Sequence, residues 1–551
     1  MVLFIRGHIA PEEKNPVNRV LIRAYHPFVR FVLRHRAATI LGALLLMAST
    51  VPVVMRLGSE FMPPLYEGSL LYMPIALPGA SVQTAQQALT MQDKLIKQIP
   101  EVESVFGKAG RAISATDPAP LEMFETVINL KPESEWRPGM TQAKLEAELD
   151  ATVRLPGIAN AWTMPIKART DMLSTGIRTP VGVKVFGPNL DGINAIAGQV
   201  ESAIRMVRGT RNVFAERVTG GYYIDFKVKR EEIARYALTV QDVEMVIESA
   251  IGGANITTTI EGRERFPVNV RYQRTFRADL NALKRTLIST PGGAQIPLEQ
   301  VADIQLTTGP TVIRTEQAQL LGYVYVDVAG RDIGGYVADA KAAVAQFVTL
   351  PEGYYLEWSG QYEYMMRAKE RLKIVIPVTL LLVIVLLYFN TRSIPKIAIV
   401  LLAVPFSLIG AFWLIYLLGY NLSVAVWVGI IALAGVDAET GVVMLLYLDQ
   451  AYEKYVKQGR MNSMHDLQEA VEEGAVKRIR PKMMTVMAIL LGLLPIMWGH
   501  GAGADVMKRI AAPMVGGVVT SFALELLVYP VIFVIWKWHA ELKPALARAR
   551  A

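Results

Sequence analysis

The segment SVAVWVGIIALAGVDAETGVVMLLYL, residues 423–448, is apolar except for two carboxylates, Asp437 and Glu439. An apolar stretch of this length is typical of a transmembrane helix. A carboxylate near the middle of such a helix costs about 2.5–3.5 kcal/mol on insertion scales, so it usually faces protein or water and has a function. At about 100° per residue, the two side chains project about 200° apart around the helix. We therefore expect one to face the bundle interior and the other an adjacent seam.

Five other segments are apolar enough to cross a membrane. These predicted spans are 37–56, 372–390, 396–418, 483–499 and 509–536. Lys and Arg are frequent in the N-terminal arm, the turn 391–396, the loop 449–482 and the C-terminal tail, which favours the cytoplasm for these segments. We therefore predict that both termini are cytoplasmic. The large segment between the first two spans then lies across the membrane, in the periplasm of a Gram-negative bacterium.

This large segment repeats a strand–helix–strand pattern three times. The units begin with LLYMPIALPG at 70–79, VGVKVFGPN at 181–189 and LGYVYVDVAG at 321–330. Apolar residues alternate in the strands and recur with a period of about 3.6 in the helices, as expected for split βαβ, ferredoxin-like subdomains. The predicted fold class is therefore a six-span α-helical membrane bundle that carries α+β ferredoxin-like periplasmic subdomains.

Composition excludes several classes of function. The 551 residues are 52% hydrophobic and 19% charged, with net charge +8, six His and no Cys. Disulfides, thiolate metal sites and Cys nucleophiles are excluded, and the scattered His residues leave little room for a zinc site. The sequence has no compact basic block of the kind that indicates nucleic-acid binding. It also has no nucleophile–base pair, phosphate loop or HExxH motif that would indicate an enzyme.

Two further charges accompany the predicted spans. Lys482 begins the fifth span, and Glu525 lies near the centre of the sixth. A lysine at a span end also fits simple snorkelling to the interface. A carboxylate and an ammonium on neighbouring helices can instead alternate between an ion pair and a protonated acid, which is the chemistry of a proton relay. The residues alone leave both interpretations of Lys482 open.

Several long stretches resemble one family of membrane proteins. They are EFMPPLYEGSLLYMP (60–74), PEVESVFGKAGRA (100–112), TDPAPLEMFETVINLKP (116–132), MPIKARTDMLSTGIRTPVGVKVFG (164–187), GIIALAGVDAETGVVMLLYL (429–448), RIRPKMMT (478–485) and LLPIMWGHGAGADVMKRIAAPM (493–514). The sequence resembles the C-terminal half of a heavy-metal efflux permease of the resistance–nodulation–division superfamily, of the CusA-like copper/silver type. The matching stretches run nearly from end to end.

The resemblance implies a homotrimeric, proton-driven antiporter of the bacterial inner membrane. Such a pump passes metal to a periplasmic adaptor and an outer-membrane channel. Glu439 and Lys482 match proton-relay positions, while Asp437 and Glu525 are auxiliary candidates outside the copper/silver pattern. Members have twelve spans and two large loops, so an N-terminal half of the permease is expected as a partner.

The resemblance also implies an organisation in subdomains. These are a cytoplasmic arm at 1–36, a span at 37–56, a first pore subdomain at 57–180, a second pore subdomain at 181–227 and 318–371, a docking insertion at 228–317, five spans within 372–536 and a cytoplasmic tail at 537–551.

The family's metal site maps onto Met73, Met123 and Met172. Without the resemblance, three methionines this far apart would be ordinary core residues. Thioether sulfur is soft and uncharged, which suits Cu(I) and Ag(I) as the transported ions. No further cofactor is expected. The resemblance makes Asp117 and Glu125 acidic neighbours that attract cations.

Two positions bear on the path of the metal. Met507 matches a methionine near the membrane surface and is a candidate for metal transit. Asn255 replaces a methionine that such pumps can have near the floor of the cleft, which leaves one transit step uncertain.

Alternatives remain open at this stage. The extra carboxylates are reminiscent of divalent-metal (Zn, Co or Cd) permeases, whereas the methionines favour monovalent metals. Drug efflux would not need three methionines in one place. A membrane-anchored half without transport of its own is a third alternative, against which the membrane carboxylates argue.

Overall fold

The computed structural model describes residues 16–550 except 64–65, 77–79, 111–119, 122, 311 and 502. Two helices open this part of the chain, α1 (Pro16–Arg34) and α2 (Arg36–Arg56). Helix α1 lies in the predicted arm, but its Tyr25, Val29 and Leu33 are buried in the core of the helical bundle. The described part of the arm therefore belongs to the bundle, because the apolar side chains of α1 lie on one face and pack against other helices.

The first α+β unit follows. Its elements are β1 (Ser69–Tyr72), β2 (Ile75–Ala76), α3 (Val82–Lys97), β3 (Val102–Lys108), β4 (Glu125–Leu130), α4 (Gln142–Thr152), β5 (Ile158–Ala159), β6 (Trp162–Thr163) and α5 (Pro165–Thr175). The main sheet has the order β3-β4-β1-β6, with Leu71 opposite Val127 across β1 and β4. This is the strand order of a split βαβ unit.

The next elements are β7 (Val181–Gly187), α6 (Leu190–Arg205) and β8 (Thr210–Ala215). An insertion then contributes β9 (Gly221–Val228), α7 (Arg230–Arg235), α8 (Val240–Val246), β10 (Ala254–Glu261), β11 (Glu264–Val270), α9 (Leu280–Lys284), β12 (Leu287–Ser289), β13 (Gln295–Pro297), α10 (Leu298–Val301) and β14 (Ala302–Gly309). Strands β9 and β14 pair along their whole length and form the stem of the insertion. Its own small core includes Val243, Ile288 and Leu298.

The chain returns to the second unit through β15 (Arg314–Glu316), β16 (Gln319–Val328), α11 (Ile333–Phe347) and β17 (Tyr355–Gly360). The sheet order β15-β16-β7-β17, with β8 also on β16, repeats the split βαβ arrangement. Apolar residues of β7 such as Val183 and Val185 are fully buried beneath α6 and α11. A smaller cluster that includes Ile75, Phe186 and Tyr325 joins the two units.

The remaining helices complete the bundle. They are α12 (Gln361–Thr391), α13 (Ile394–Leu401), α14 (Ala403–Leu417), α15 (Val424–Lys457), α16 (Met464–Trp498), α17 (Ala504–Lys537) and α18 (Lys543–Arg550). Helix α17 packs against α14, α15 and α16. Within the described residues, six helical segments are long and apolar enough to cross a membrane: α2, α12, α13 with α14, α15, α16, and α17 with its continuation.

Most of the predicted loop 449–482 is helical. Helix α15 extends to Lys457 and α16 begins at Met464, so only a short turn joins them. Hydropathy marks only the apolar middle of each helix, whereas the polar ends are stabilised by side-chain pairs such as Lys477–Glu473, 2.6 Å apart. The helices therefore project beyond the apolar segments that the sequence reveals.

Candidate functional site

Three methionines from separate parts of the first unit meet in one cluster. Met73 lies between β1 and β2, Met123 lies just before β4, and Met172 is on α5. Met73 and Met123 are 1% and 9% exposed, and Met172 packs against them. Leu71, Val127 and Ala168 pack against the three methionines. We call Met73, Met123 and Met172 the methionine cluster.

Backbone contacts hold two of the methionines. The Met73 amide donates to the Ala161 carbonyl oxygen at 2.9 Å, and Met123 forms an isolated antiparallel bridge with Ile75. The sheet order brings these segments together because β1 is hydrogen-bonded to both β4 and β6. Residues fifty positions apart in the sequence thereby become neighbours.

Helix α5 is fixed at both ends, which fixes Met172. The Glu67 carboxylate accepts the backbone N–H groups of Ile166 and Lys167 at 2.8 and 3.0 Å, at the helix N-terminus where an anion is favoured. The helix ends at Gly176, whose φ of +76° favours glycine. A Cβ there would lie 2.5 Å from the Tyr323 hydroxyl, so the close approach also requires glycine.

Arg178 contacts the methionine cluster directly. Its Nη1 donates to the Met123 sulfur at 2.6 Å, and its guanidinium lies 4.4 Å from the Tyr325 ring centroid. Arg178 is only 6% exposed. Burial raises the pKa of the Tyr325 hydroxyl, so that ring is neutral and offers its π face to the cation. The sequence alone does not point to Arg178, because nothing in its local sequence signals this contact.

One of the two predicted acidic neighbours is described. Glu125, the first residue of β4, forms an ion pair with Lys108 at 2.7 Å and lies 3.9 Å from Arg169. Asp117 lies outside the described residues. The Glu125 carboxylate is therefore already surrounded by cations, which weakens its attraction for an incoming metal.

Two other predicted metal-path residues are separate from this cluster. Met507 is 48% exposed near the start of α17, and it is not among the residues that pack in the methionine cluster. Asn255 is on the β10–β11 hairpin, where its side chain accepts a hydrogen bond from Asn269 at 2.9 Å.

A second polar site lies within the helical bundle. Lys482 on α16 forms an ion pair with Glu525 on α17, and the two side chains are 1% and 0% exposed. Asp437 on α15 is also buried, at 2% exposed, and interacts electrostatically with both. We call Asp437, Lys482 and Glu525 the membrane charge cluster. It unites three of the four charged candidates from the sequence.

Hydroxyl groups supplement the membrane charge cluster. Thr440 and Ser521 donate to Glu525 Oε1 at 3.2 and 2.8 Å. Ser407 on α14 and Ser521 also interact with the Asp437 carboxyl group. Asp437 Oδ2 has no hydrogen-bond partner among the described residues. The hydroxyl groups therefore satisfy the Glu525 carboxylate more fully than the Asp437 carboxyl group.

Close helix packing isolates this cluster. A Cβ on Gly410 of α14 would lie 2.0 Å from the Gly516 carbonyl oxygen, and one on Gly516 would lie 2.3 Å from that of Gly410. The backbones of α14 and α17 therefore touch, as small residues permit. Gly435 on α15 does not lie at such a contact. A Cβ on Gly435 would meet nothing within 4 Å among the described residues.

Glu439 does not join the membrane charge cluster. It lies on the exposed side of α15, whereas Asp437 faces the interior. The predicted separation of the two carboxylates agrees with this arrangement. Among the residues described, the interior partner of Lys482 is Glu525.

A cavity of about 780 Å³ lies between α1, α15 and α16. Among the described residues, its lining includes His26, Tyr447, Glu472 and Pro481, but no member of the membrane charge cluster.

Comparison with known proteins agrees with this architecture. The chain is 48% identical to the "Putative cation efflux system protein SilA" of Salmonella typhimurium over 97% of its own length and 51% of that protein's. It is 47% identical to the "Cation efflux system protein CusA" of Escherichia coli (strain K12) over 98% and 52%. The chain therefore spans about half the length of the curated relatives it matches.

A solved structure has a similar fold over nearly the whole of this chain. The crystal structure described as "a heavy metal efflux pump, crystal form II" superposes with a TM-score of 0.85 at 27% identity, over 95% of this chain and 52% of that one. Residues 3–537 match the model of the AcrB/AcrD/AcrF family. The chain belongs to the AcrB/AcrD/AcrF family of permeases, with its membrane-spanning-capable helices and β-rich α+β units.

Proposed function

We propose that this chain is the metal-binding and proton-conducting part of a heavy-metal efflux permease that exports Cu(I) or Ag(I). The observation that supports this most directly is the meeting of Met73, Met123 and Met172 in one buried cluster. Neutral thioether ligands suit soft monovalent ions and bind hard cations such as Mg²⁺ poorly. The relatives named as cation efflux proteins support the same conclusion.

Inward proton movement through the membrane charge cluster drives the export. With all three groups ionised, the cluster has a net charge of −1, and one proton neutralises it. When that proton binds Glu525, Lys482 loses its counter-ion there and turns toward Asp437. When the proton leaves, the Lys482–Glu525 pair forms again. A passive pore would not require this exchange.

Glu439 is a further relay residue in this proposal. Its exposed position on α15 means that its partner would come from a membrane segment outside the helices described here. The half-length match to the relatives supports this, because the assembled transporter contains about as much chain again. Met507, exposed near the start of α17, would act at a separate transit step.

The assembly belongs to the bacterial inner membrane. We assign residues 57–180, with 181–227 and 318–371, to two periplasmic pore subdomains, and 228–317 to a docking insertion. The chain would assemble as a homotrimer with a periplasmic adaptor and an outer-membrane channel. The β10–β11 hairpin supports a docking role, since its Ile256 and Ile260 are 64% and 68% exposed.

Calorimetric titration of the full chain in detergent with Ag(I) and with Zn(II) tests the proposal. We expect Ag(I) binding that is weakened about 100-fold in each of Met73→Leu, Met123→Leu and Met172→Leu, with little Zn(II) binding. Binding of Zn(II) alone would support the second candidate, divalent-metal export, which the additional carboxylates Asp437 and Glu525 favour. Binding of neither metal would contradict both candidates.

A further inference from the structure

We infer that Asp327 is a proton-binding site that controls the contact between the first and second α+β units. Its protonation releases Arg211 to pair with Glu146 across the interface, which holds the two units together more tightly. The inference concerns this interface alone and does not depend on the proposed metal site. We call the four charged residues that meet here the interface charge group: Glu146 and Asp150 of α4, Arg211 of β8 and Asp327 of β16.

Strand β16 presents one of its faces to the first unit. Successive side chains of a strand point to opposite faces, so Tyr325 and Asp327 share one face. Val324 and Val326 point the other way, into the core of the second unit. Tyr325 belongs to the apolar cluster that joins the two units. Asp327 lies about 7 Å further along the strand, at the polar end of the same interface.

A bulge in β8 directs Arg211 toward Asp327. The register shifts beside Asn212, which is opposite Asp327, so Arg211 is the extra residue of the bulge. A bulge changes the direction of its side chain. Arg211 Nε and Nη2 donate to the two Asp327 oxygens at 2.8 and 3.0 Å, and Nη1 donates to Glu146 at 3.3 Å. Two of these hydrogen bonds therefore stay within the second unit, and one crosses to the first.

Charge and burial both favour a proton on Asp327. Its side chain is 2% exposed, against 17% for Arg211 and 22% for Glu146. The carboxylates of Glu146 and Asp150 repel a negative charge on Asp327, whereas Arg211 attracts it. Burial raises the pKa of Asp327 to about 6, because the loss of hydration outweighs the ion pair with Arg211.

The other ionisable groups near Asp327 do not alter this balance. Tyr336 of α11 is neutral, because burial raises the pKa of its hydroxyl. Arg331 forms an ion pair with Asp339 at 2.8 Å. Arg154, which follows α4, is 77% exposed, so water screens its charge. Residues 57–371 contain no His, the side chain that ordinarily titrates in this pH range.

The proton determines which partner Arg211 attracts. When Asp327 is ionised, the charges of Arg211 and Asp327 cancel, and the second unit attracts the first only weakly. When Asp327 is protonated, the guanidinium is uncompensated within its own unit and faces Glu146 and Asp150. Asn212 already donates to Asp150 at 3.3 Å, so the same end of the interface is held twice. The tightly held form therefore binds the proton better, and acid favours that form.

Distances between spin labels measure this contact. The chain has no Cys, so labels attach only where Cys is introduced. Gln87→Cys on α3 and Ser202→Cys on α6 place one label at an exposed position of each unit. Pulsed double electron–electron resonance of the full chain in detergent then gives the populations of shorter and longer distances. We expect their ratio to rise about tenfold from pH 8 to pH 5, as a pKa difference of about one unit between the two forms predicts.

Asp327→Asn removes the ionisable group. We expect this variant to show at pH 8 the short-distance population that wild type shows at pH 5, with no further response to acid. The matched control is Asp93→Asn. Burial also raises the pKa of Asp93, but this carboxyl group accepts a hydrogen bond from Thr126 within the first unit. Asp93→Asn should therefore keep the wild-type response.

Glu146→Gln removes the partner across the interface. The population ratio should then change by less than about twofold between pH 8 and pH 5. Glu148→Gln is the control on the same helix and should keep the wild-type response, since Glu148 bonds Arg137 within the first unit. This pair of variants decides the inference even if Asp327→Asn does not fold.

Three results would overturn the inference. They are wild-type distances that do not depend on pH, distances that lengthen in acid or in Asp327→Asn, and a full pH response in Glu146→Gln. Longer distances in acid would mean that protonation frees Arg211 from the interface instead of holding it there. None of these measurements involves a metal, so their failure leaves the proposed function to its own test.

Discussion

The methionine cluster and the membrane charge cluster are both buried, but they bring together different kinds of atom. In the membrane, Lys482 is paired with the Glu525 carboxylate, and both are almost fully buried. In the first α+β unit, Met73, Met123 and Met172 bring neutral thioether sulfurs together. A buried ion pair cannot lose one partner without leaving an uncompensated charge. A thioether carries no charge, so the methionine cluster needs no counter-ion.

Under the proposed function, this difference would fit two kinds of transported ion. The membrane charge cluster would exchange protons through its carboxylates. The methionine cluster would bind metal ions, and its neutral ligands would leave no uncompensated charge when the metal is released.

The largest expected effect comes from breaking the ion pair in the membrane. Lys482→Met leaves Glu525 buried without a counter-ion, and we expect a loss of about 3–5 kcal/mol in the free energy of unfolding. Thermal unfolding in detergent measures it. The double variant Lys482→Met/Glu525→Gln should recover most of the loss. If Lys482→Met were as stable as the wild type, the claim that Lys482 and Glu525 form a buried ion pair would be contradicted.

Replacing a sulfur should affect binding much more than stability. Met123→Leu preserves volume, so the free energy of unfolding should fall by less than about 1.5 kcal/mol. The Ag(I) affinity should fall about 100-fold, or about 2.8 kcal/mol, because one of three ligands is lost. Calorimetry measures the affinity. Met206→Leu, in which a 65% exposed methionine outside the cluster is changed, is the matched control and should bind normally.

The close helix approach around the membrane charge cluster is the next target. Gly516→Ala introduces a methyl group 2.3 Å from the Gly410 carbonyl oxygen, so α14 and α17 must separate. We expect a loss of about 1–3 kcal/mol in thermal unfolding experiments. Gly435→Ala is the control, since its new methyl group meets nothing within 4 Å among the described residues. Equal behaviour of the two variants would argue against tight packing at Gly516.

The smallest effect concerns a buried carboxylate outside the membrane. Glu101 has a 0% exposed side chain and accepts two hydrogen bonds from the Arg137 guanidinium, at 2.6 and 2.9 Å. These bonds hold the pKa of Glu101 below its usual value of 4.5. The folded form therefore gains stability above pH 4.5 that is lost as pH falls through the lower folded pKa.

Glu101→Gln should accordingly lower the unfolding midpoint modestly at pH 7, and the difference from wild type should shrink in acid. Glu148→Gln is the control, since it changes a more exposed partner of Arg137 and should have less effect. A constant difference at all pH values would mean that packing, not ionisation, makes Glu101 important.

Much of the bundle could be predicted from apolar runs. The prediction 37–56 corresponds to Arg36–Arg56, and 396–418 corresponds to the pair of helices within Ile394–Leu417. The polar ends of α15 and α16 could not be predicted, because hydropathy does not distinguish a polar helix from a loop. The strand–helix–strand repeats correspond to the two sheets, since alternation and the helical period are local properties.

The two sites were harder to predict from the sequence than the fold. The helical period separates Asp437 from Glu439 by angle, but it cannot say which of them faces inward. That choice depends on how α15 packs against α17, a long-range property. The methionines were identified only through the family resemblance, because nothing local distinguishes Met123 from a core residue. Arg178 gave no signal, since its contacts with Met123 and Tyr325 arise from strand pairing far along the chain.

The most direct test of the account is X-ray absorption at the copper edge of the Cu(I)-loaded full chain. Three methionine ligands predict a first shell of sulfur only, which loses one sulfur in Met123→Leu and is unchanged in Met206→Leu. A first shell of nitrogen or oxygen, or one that Met123→Leu does not alter, would contradict the claim that Met73, Met123 and Met172 bind the metal.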